Sequence, residues 1–192
     1  NMPCFNIMHS NDALAHYGTA GMKWGVWNAE TTIRYTGARA VTSATTAKGL
    51  RRAMGDNVKY ARFSKLKSPE ETLKSGRGSC HDQTLLAHRE LSRLGYKPKA
   101  AFCIELPSNG GVGGETHSFS YFEKGKKTYW FENTLESKKG IRGYNSVNDM
   151  QRDVENSFGN RKKFPRVEWG DFDPSEHTPG ESLQDLVDKC LE

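Results

Sequence analysis

The sequence predicts an α+β fold: a helix that begins at a cysteine, packed on a small antiparallel sheet, behind a helical N-terminal extension. Three observations predict it. A turn with two glycines, Gly76-Arg77-Gly78, leads into Ser79-Cys80 and a helical pattern that runs to Leu94, where Gly95 and then Pro98 stop it. Residues Lys99 to Leu106 alternate as a strand does, with Ala100, Phe102, Ile104 and Leu106 on one side and Ala101, Cys103 and Glu105 on the other. Two more strand-like runs, Thr116 to Phe122 and Lys127 to Asn133, flank a Lys124-Gly125 turn.

With 192 residues, 35% of them hydrophobic, the chain suits one domain of ordinary size plus an appendage. We divide it into an extension over residues 1–67 and a domain over residues 68–190. No apolar run reaches the ~18 residues of a membrane span, and no charged segment followed by an apolar one marks a secretory signal. Cys4, Cys80, Cys103 and Cys190 are scattered without a Cys-x-x-Cys pair, which argues against a disulfide framework or zinc knuckle and for a reducing compartment. Leu191-Glu192 reads as the junction before a purification tag, and Asn1 as a remnant of the same kind.

The net charge of +5 is uneven. Residues 1–79 hold 12 Lys/Arg against 5 Asp/Glu, and residues 80–192 hold 16 against 18. Between Arg34 and Lys67 there are nine basic residues and one acid, Asp56, a pattern expected of a solvated basic helical arm. Aromatic interleaving there is thin (Tyr35, Tyr60, Phe63), so nucleic acid is not the expected partner. His16–Trp27 packs three glycines, two tryptophans and a tyrosine into twelve residues, too much glycine for a helix interior, and suits a docking peptide with aromatic anchors. Asn28 to Leu50 is a weakly packing helix or a linker. Leu50, Met54, Val58, Ala61 and Phe63 then predict an amphipathic helix from Leu50 to Leu66.

Ser68-Pro69-Glu70-Glu71 carries three helix-start signals: an N-cap serine, proline at the first helical position, and the glutamate of a capping box. That short helix ends at Gly76. Cys80 then stands in the first turn of the next helix, where free N–H groups and the positive dipole end favour a thiolate. Cys80, Thr84, Ala87, Leu91 and Leu94 share one face. His81 and His88 lie on another and are expected at the surface, since no third ligand suggests a metal. Cys103 is expected to pack in the core. The glycine-rich loop Pro107–Gly114 lacks the Lys-Ser/Thr of a phosphate cradle and suits a mobile rim. Ser146 caps a helix with Val147, Met150, Val154 and Phe158 inward. Phe164 to Trp169 is a short strand, His177 lies in an exposed loop, and Glu181 to Cys190 is a last helix.

A turn at Lys124-Gly125 sets Glu123 opposite Lys126, and so His117 opposite Glu132 on one face of the hairpin. A carboxylate there can fix the imidazole tautomer and leave its second nitrogen free. Thiol, imidazole and carboxylate together make a nucleophilic constellation.

The stretch from Ser68 to Met150 resembles the transglutaminase-like superfamily of papain-fold cysteine enzymes. The residues that carry the resemblance are Glu71-Thr72-Leu73, Gly76-x-Gly78-x-Cys80-x-Asp82-Gln83, Leu94-Gly95-Tyr96, Thr116-His117-Ser118-Phe119 and Tyr129-Trp130-Phe131-Glu132-Asn133. It implies a papain-like core, thiol-dependent acyl transfer, no cofactor and no metal. Cys80 would be the nucleophile, His117 the general base and acid, and Glu132 the orienting acid. The third position is more often Asp, and Asn133 could orient instead, although alternation turns it to the opposite face from Glu132. Oxyanion donors fall to the Cys80 amide and a neighbour. The expected activity is that of a cysteine peptidase or isopeptidase on a protein or peptide substrate. Transglutaminase or glutamine deamidase action would use the same residues, and a non-catalytic interaction module is a third possibility. Separately, His16-Tyr17-Gly18-x-x-Gly21-Met22-Lys23-Trp24-Gly25 is similar to a short motif of phage and prophage proteins, often head-associated. This implies a phage assembly component as partner and a location in the bacterial cytoplasm or on the virion.

Overall fold

The computed structural model describes residues 29–62, 65–108 and 114–182, together with Asp185. The chain divides into two compact units, residues 1–32 and 33–192, and the fold described here is that of the second. The His16–Trp27 segment, residues 109–113 of the glycine-rich loop, Cys4, Cys190 and nearly all of the expected last helix lie outside the described residues.

The fold is α+β. Its centre is a five-stranded antiparallel sheet in the order β6-β5-β4-β3-β7, formed by β3 (Pro98–Leu106), β4 (Thr116–Lys124), β5 (Lys127–Glu132), β6 (Gly140–Tyr144) and β7 (Arg166–Phe172). Helices α1 (Ala29–Thr42), α2 (Ala47–Asn57), α3 (Pro69–Ser75), α4 (Cys80–Arg93) and α5 (Val147–Glu155) surround it. Two short strands, β1 (Lys59–Tyr60) and β2 (Arg77–Gly78), pair in parallel before α4.

Strand alternation divides the sheet into two chemically different faces. Phe122 and Phe131 pack with Leu86 and Leu91 of α4, while Phe102 and Ile104 of the same face meet Leu66. Ala101, Cys103, Phe119, Tyr121 and Trp130 face the other way, onto Met150 and Val154 of α5 and onto Phe158. Both faces are covered, so β3 is buried from Ala100 to Glu105, against the half-solvated strand that simple alternation suggests. Cys103 is a core residue, as expected.

The basic segment is part of this unit. Val41, Leu50, Met54 and Val58 lie in one core cluster with Leu86, Leu91, Phe122 and Phe131, so no structural boundary falls at residue 67. The helix expected from Leu50 to Leu66 stops at Asn57. Beyond it the backbone is extended, because the Lys59 and Ala61 amides donate to Gly76 and Gly78 carbonyls. Pairing thus outcompetes a periodicity that continues in the letters.

The hairpin turn is also one residue later than expected. Gly125 and Lys126 form it, with Lys124 opposite Lys127. Gly125 has φ +64, and a two-residue turn with only its first central residue at positive φ needs glycine in that place. The shift moves opposed partners by two positions, so side chains keep their faces.

Candidate active site

Local chemistry sets the start of α4 with little freedom. Gly76 caps α3 at φ +62, in the left-handed region. At Gly78 a Cβ would lie 3.0 Å from both Thr72 Cγ2 and Asp82 Cβ, so the turn needs a bare backbone there. Ser79 and Asp82 form a reciprocal capping box, with the Ser79 amide donating to Asp82 Oδ2 at 2.9 Å. The other Asp82 oxygen accepts from the Lys67 amide at 2.8 Å. Gln83 Nε2 donates to the Gly78 carbonyl at 3.0 Å. Cys80 therefore opens a helix whose entry is fixed from both sides, and its side chain is half-buried. Among the described residues the Cys80 and His81 amides donate to nothing, which leaves two N–H groups at the helix end.

His117 and Glu132 lie on the α5 face, both fully buried. Glu132 is not directly opposite His117, as the expected register had it. It sits on the diagonal, and its longer side chain closes the gap: His117 Nε2 meets Glu132 Oε2 at 2.8 Å. The other oxygen, Oε1, accepts from the Thr134 amide at 2.6 Å, the Leu135 amide at 2.9 Å and the Thr134 hydroxyl at 3.0 Å. Burial pushes the Glu132 carboxyl up. The His117 charge and these donors outweigh it and hold the group below the ordinary carboxylate range. Burial likewise opposes a charge on His117, but the Glu132 carboxylate and the hydrogen-bonded Cys80 side chain raise its pKa to about 10. Since Nε2 faces Glu132, Nδ1 is the nitrogen left for the thiol.

Cys80 belongs to the helix on one face of the sheet and His117 to the other face. They meet where the sheet opens. Pairing between β4 and β5 ends at Ser120–Phe131, while β4 continues along β3 to Thr116. A small cleft there is lined by Cys80, Ser118, Phe119, Glu132, Asn133 and Thr134, residues of both faces. Asn133 turns away from His117, as alternation requires. It accepts from Arg51 Nη1 and donates to Gln83 Oε1, so it ties α2 to α4 and does not orient the imidazole.

Three histidine expectations need correction. His81 is not at the surface but only 1% exposed. Its Nδ1 lies 3.2 Å from Ser118 Oγ and its Nε2 lies 3.2 Å from His177 Nδ1, while Phe172 stacks on the ring. His177 is half-buried rather than exposed, with Nε2 3.2 Å from the Lys67 carbonyl. A carbonyl only accepts, so His177 Nε2 carries a proton, His81 Nε2–H donates to His177 Nδ1, and the Ser118 hydroxyl donates to His81 Nδ1. Desolvation is the first cause that lowers the His81 pKa, to about 3. His88 is half-buried, its Nε2 3.1 Å from the Pro98 carbonyl. The helical periodicity missed these contacts because α4 is covered by the sheet on one side and by residues 172–177 on the other.

Sequence reasoning also missed Glu105, a carboxylate with no exposure. It accepts from the Glu115 amide at 3.1 Å, the Asn160 amide at 2.6 Å and Arg161 Nη2 at 2.7 Å. It fixes the backbone just before His117. Gly159, at φ +71, is required beside it, because a Cβ there would lie 2.0 Å from Glu105 Oε1. A charged residue in the middle of an apolar strand was the signal in the letters. Among the described residues no group of three or more His, Cys, Asp or Glu is placed to hold a metal, and no helix is long and apolar enough to cross a membrane.

Comparison with known proteins adds a short match and a distant likeness. Residues 8–30 match the model of a family of unknown function, DUF7211. No curated protein matches the chain. Among solved structures the chain is similar to the crystal structure of a TGase, at TM-score 0.38 and 10% identity, over 78% of this chain and 42% of that one. The chain thus spans less than half the length of that protein.

Proposed function

We propose that this chain is a transglutaminase-like thiol acyl-transfer enzyme that acts as a cysteine peptidase or isopeptidase on a protein or peptide substrate. One observation carries the reading. A buried imidazole holds a carboxylate through Nε2 and lies within interaction reach of a helix-start thiol. In this reading the Cys80 proton resides on His117, and Cys80 Sγ attacks the amide carbonyl. The negative oxygen of the tetrahedral intermediate is taken by the Cys80 and His81 amides. His117 gives its proton to the leaving amine as the C–N bond breaks. Water, losing a proton to His117, then cleaves the thioester and restores the thiol. A lysine amine in place of water would make an isopeptide bond, and a glutamine side chain as donor would be deamidated. The acceptor decides among these. The His16–Trp27 segment is, in the same reading, an attachment point to a phage assembly in the host cytoplasm or on the virion.

The test is Cys80 alkylation by iodoacetamide across pH, in wild type and His117→Ala. Rapid alkylation near pH ~6.5, where an ordinary thiol of pKa ~8.5 is almost all protonated, is expected in wild type and is lost in the variant. Slow alkylation that His117→Ala leaves unchanged would sink the proposal.

A further inference from the structure

The approach to Cys80 has a free strand edge with basic side chains on both of its faces. β1 pairs with β2 in parallel, Lys59 opposite Arg77 and Tyr60 opposite Gly78, two residues before Cys80. The Lys59 and Ala61 amides point at β2, bonding to Gly76 and Gly78 carbonyls at 2.9 and 3.0 Å. In a parallel ladder the residue between two such donors turns its own N–H and C=O to the opposite edge. The Tyr60 backbone therefore faces outward, and among the described residues no strand pairs with that edge.

The side chains there are arranged for a ligand. Tyr60 is 49% exposed, the one large hydrophobic residue so exposed among the described residues. Its hydroxyl lies within electrostatic reach of Arg62, Cys80 and Glu115. On the other face of the pair, Lys59 and Arg77 stand directly opposite one another, both exposed. Like charges so placed repel unless an anion lies between or beside them. Lys59, Arg62 and Arg77 have no carboxylate partner among the described residues. No acid occurs from Asn57 to Pro69.

We propose that the free edge of β1 receives an extended acidic peptide as an added strand and leads it to Cys80. Tyr60 packs on one apolar side chain of that peptide, Arg62 takes a carboxylate on the same face, and Lys59 with Arg77 takes carboxylates on the other. Backbone pairing supplies register, and charge supplies selectivity. The inference deepens the acyl-transfer reading by naming its substrate class and rests on Cys80 as the nucleophile.

Two thiol-directed peptides test it: acetyl-Glu-Glu-Leu-Gly chloromethyl ketone and its Lys-Lys counterpart, each forming a thioether at Cys80 with loss of chloride. Second-order rates on the full chain are read by intact mass, and each is divided by the same variant's iodoacetamide rate. The Glu peptide should react at least ~10-fold faster than the Lys peptide at low salt, with the ratio falling as salt rises. Lys59→Gln/Arg62→Gln/Arg77→Gln should bring the ratio near one, and Arg62→Glu should invert part of it. Equal peptide rates in a protein that iodoacetamide alkylates rapidly would overturn the docking edge and leave the acyl-transfer reading standing. If iodoacetamide itself is slow, that reading fails. The edge is then judged by fluorescence anisotropy of a fluorescein-labelled Glu-Glu-Leu-Gly peptide on Cys80→Ser. Charge-dependent binding supports the edge, and none refutes it.

Discussion

Two histidines flank Cys80, both almost completely buried, and only one of them is charged. His117 is held protonated, with its pKa at about 10, and His81 is held neutral, with its pKa at about 3. Burial disfavours the imidazolium in both cases. The partners decide the outcome. His117 faces a carboxylate whose second oxygen is already saturated by three donors. His81 faces a hydroxyl and a second imidazole, neither of which can stabilise a cation as well. Adjacent positions on β4, His117 and Ser118, thus make one charged pair on one face of the sheet and one neutral chain on the other.

The largest expected effect comes from removing the charge that makes the difference. Glu132→Gln leaves His117 buried without a carboxylate, and breaking such a pair costs about 3–5 kcal/mol. In thermal or urea unfolding the variant should be destabilised on that scale, and by NMR the His117 imidazole should lose its proton at much lower pH than in wild type. A variant whose His117 still titrates near its wild-type pH would show that burial and Cys80, rather than Glu132, set the charge.

The second effect sharpens the comparison through pH. His117 has a folded pKa above its unfolded value, so its stabilisation is complete below ~6.5 and is lost as pH rises toward about 10. His81 has a folded pKa below its unfolded value, so its contribution is present above ~6.5 and is lost as pH falls toward about 3. These two terms oppose one another on either side of neutrality and favour a stability maximum there. His81→Phe keeps the stack on Phe172 but strands the Ser118 and His177 polar atoms, a loss of ~1–3 kcal/mol at neutral pH. Its acid limb should be shallower than that of wild type, because one proton uptake on unfolding is gone. Parallel acid limbs in urea titrations at several pH values would mean that His81 is not the group that charges.

How much of this was legible in the letters depended on range. The caps were local, and Ser68, Glu71 and Ser146 cap the helices where the sequence analysis placed them. The shared face of His117 and Glu132 was also legible, since parity survives a shift of two. The register was not, because the choice between Lys124-Gly125 and Gly125-Lys126 rests on the sign of one φ angle. His81 and the end of α2 were illegible for a different reason. Their environment comes from residues 172–177 and 76–78, distant in sequence, and strand β6 carries Gly140 and Gly143 where a strand pattern would show large apolar residues. Glu105 was visible as an anomaly, but its partners at residues 115, 160 and 161 were not.

The smallest effect bears on the part of the molecule that reads as an appendage. Arg51, in the basic stretch, donates to Asn133, Asn133 donates to Gln83, and Gln83 donates to the Gly78 carbonyl. This chain links α2 to the turn that presents Cys80, with Asn133 next to Glu132 in sequence but on the opposite face. Arg51→Met keeps most of the side-chain volume and leaves the Asn133 oxygen without its donor, a loss of about 1 kcal/mol. Because the chain ends at the nucleophile turn, the variant should also alter the rate of Cys80 alkylation while leaving the pH at which His117 titrates unchanged. Loss of stability with no change in the alkylation rate would restrict α2 to packing through Leu50 and Met54. A shift in the His117 titration would mean that the two faces are coupled through residues 132–133 of β5 and the turn after it, and that the neutral and charged halves of the site cannot be varied separately.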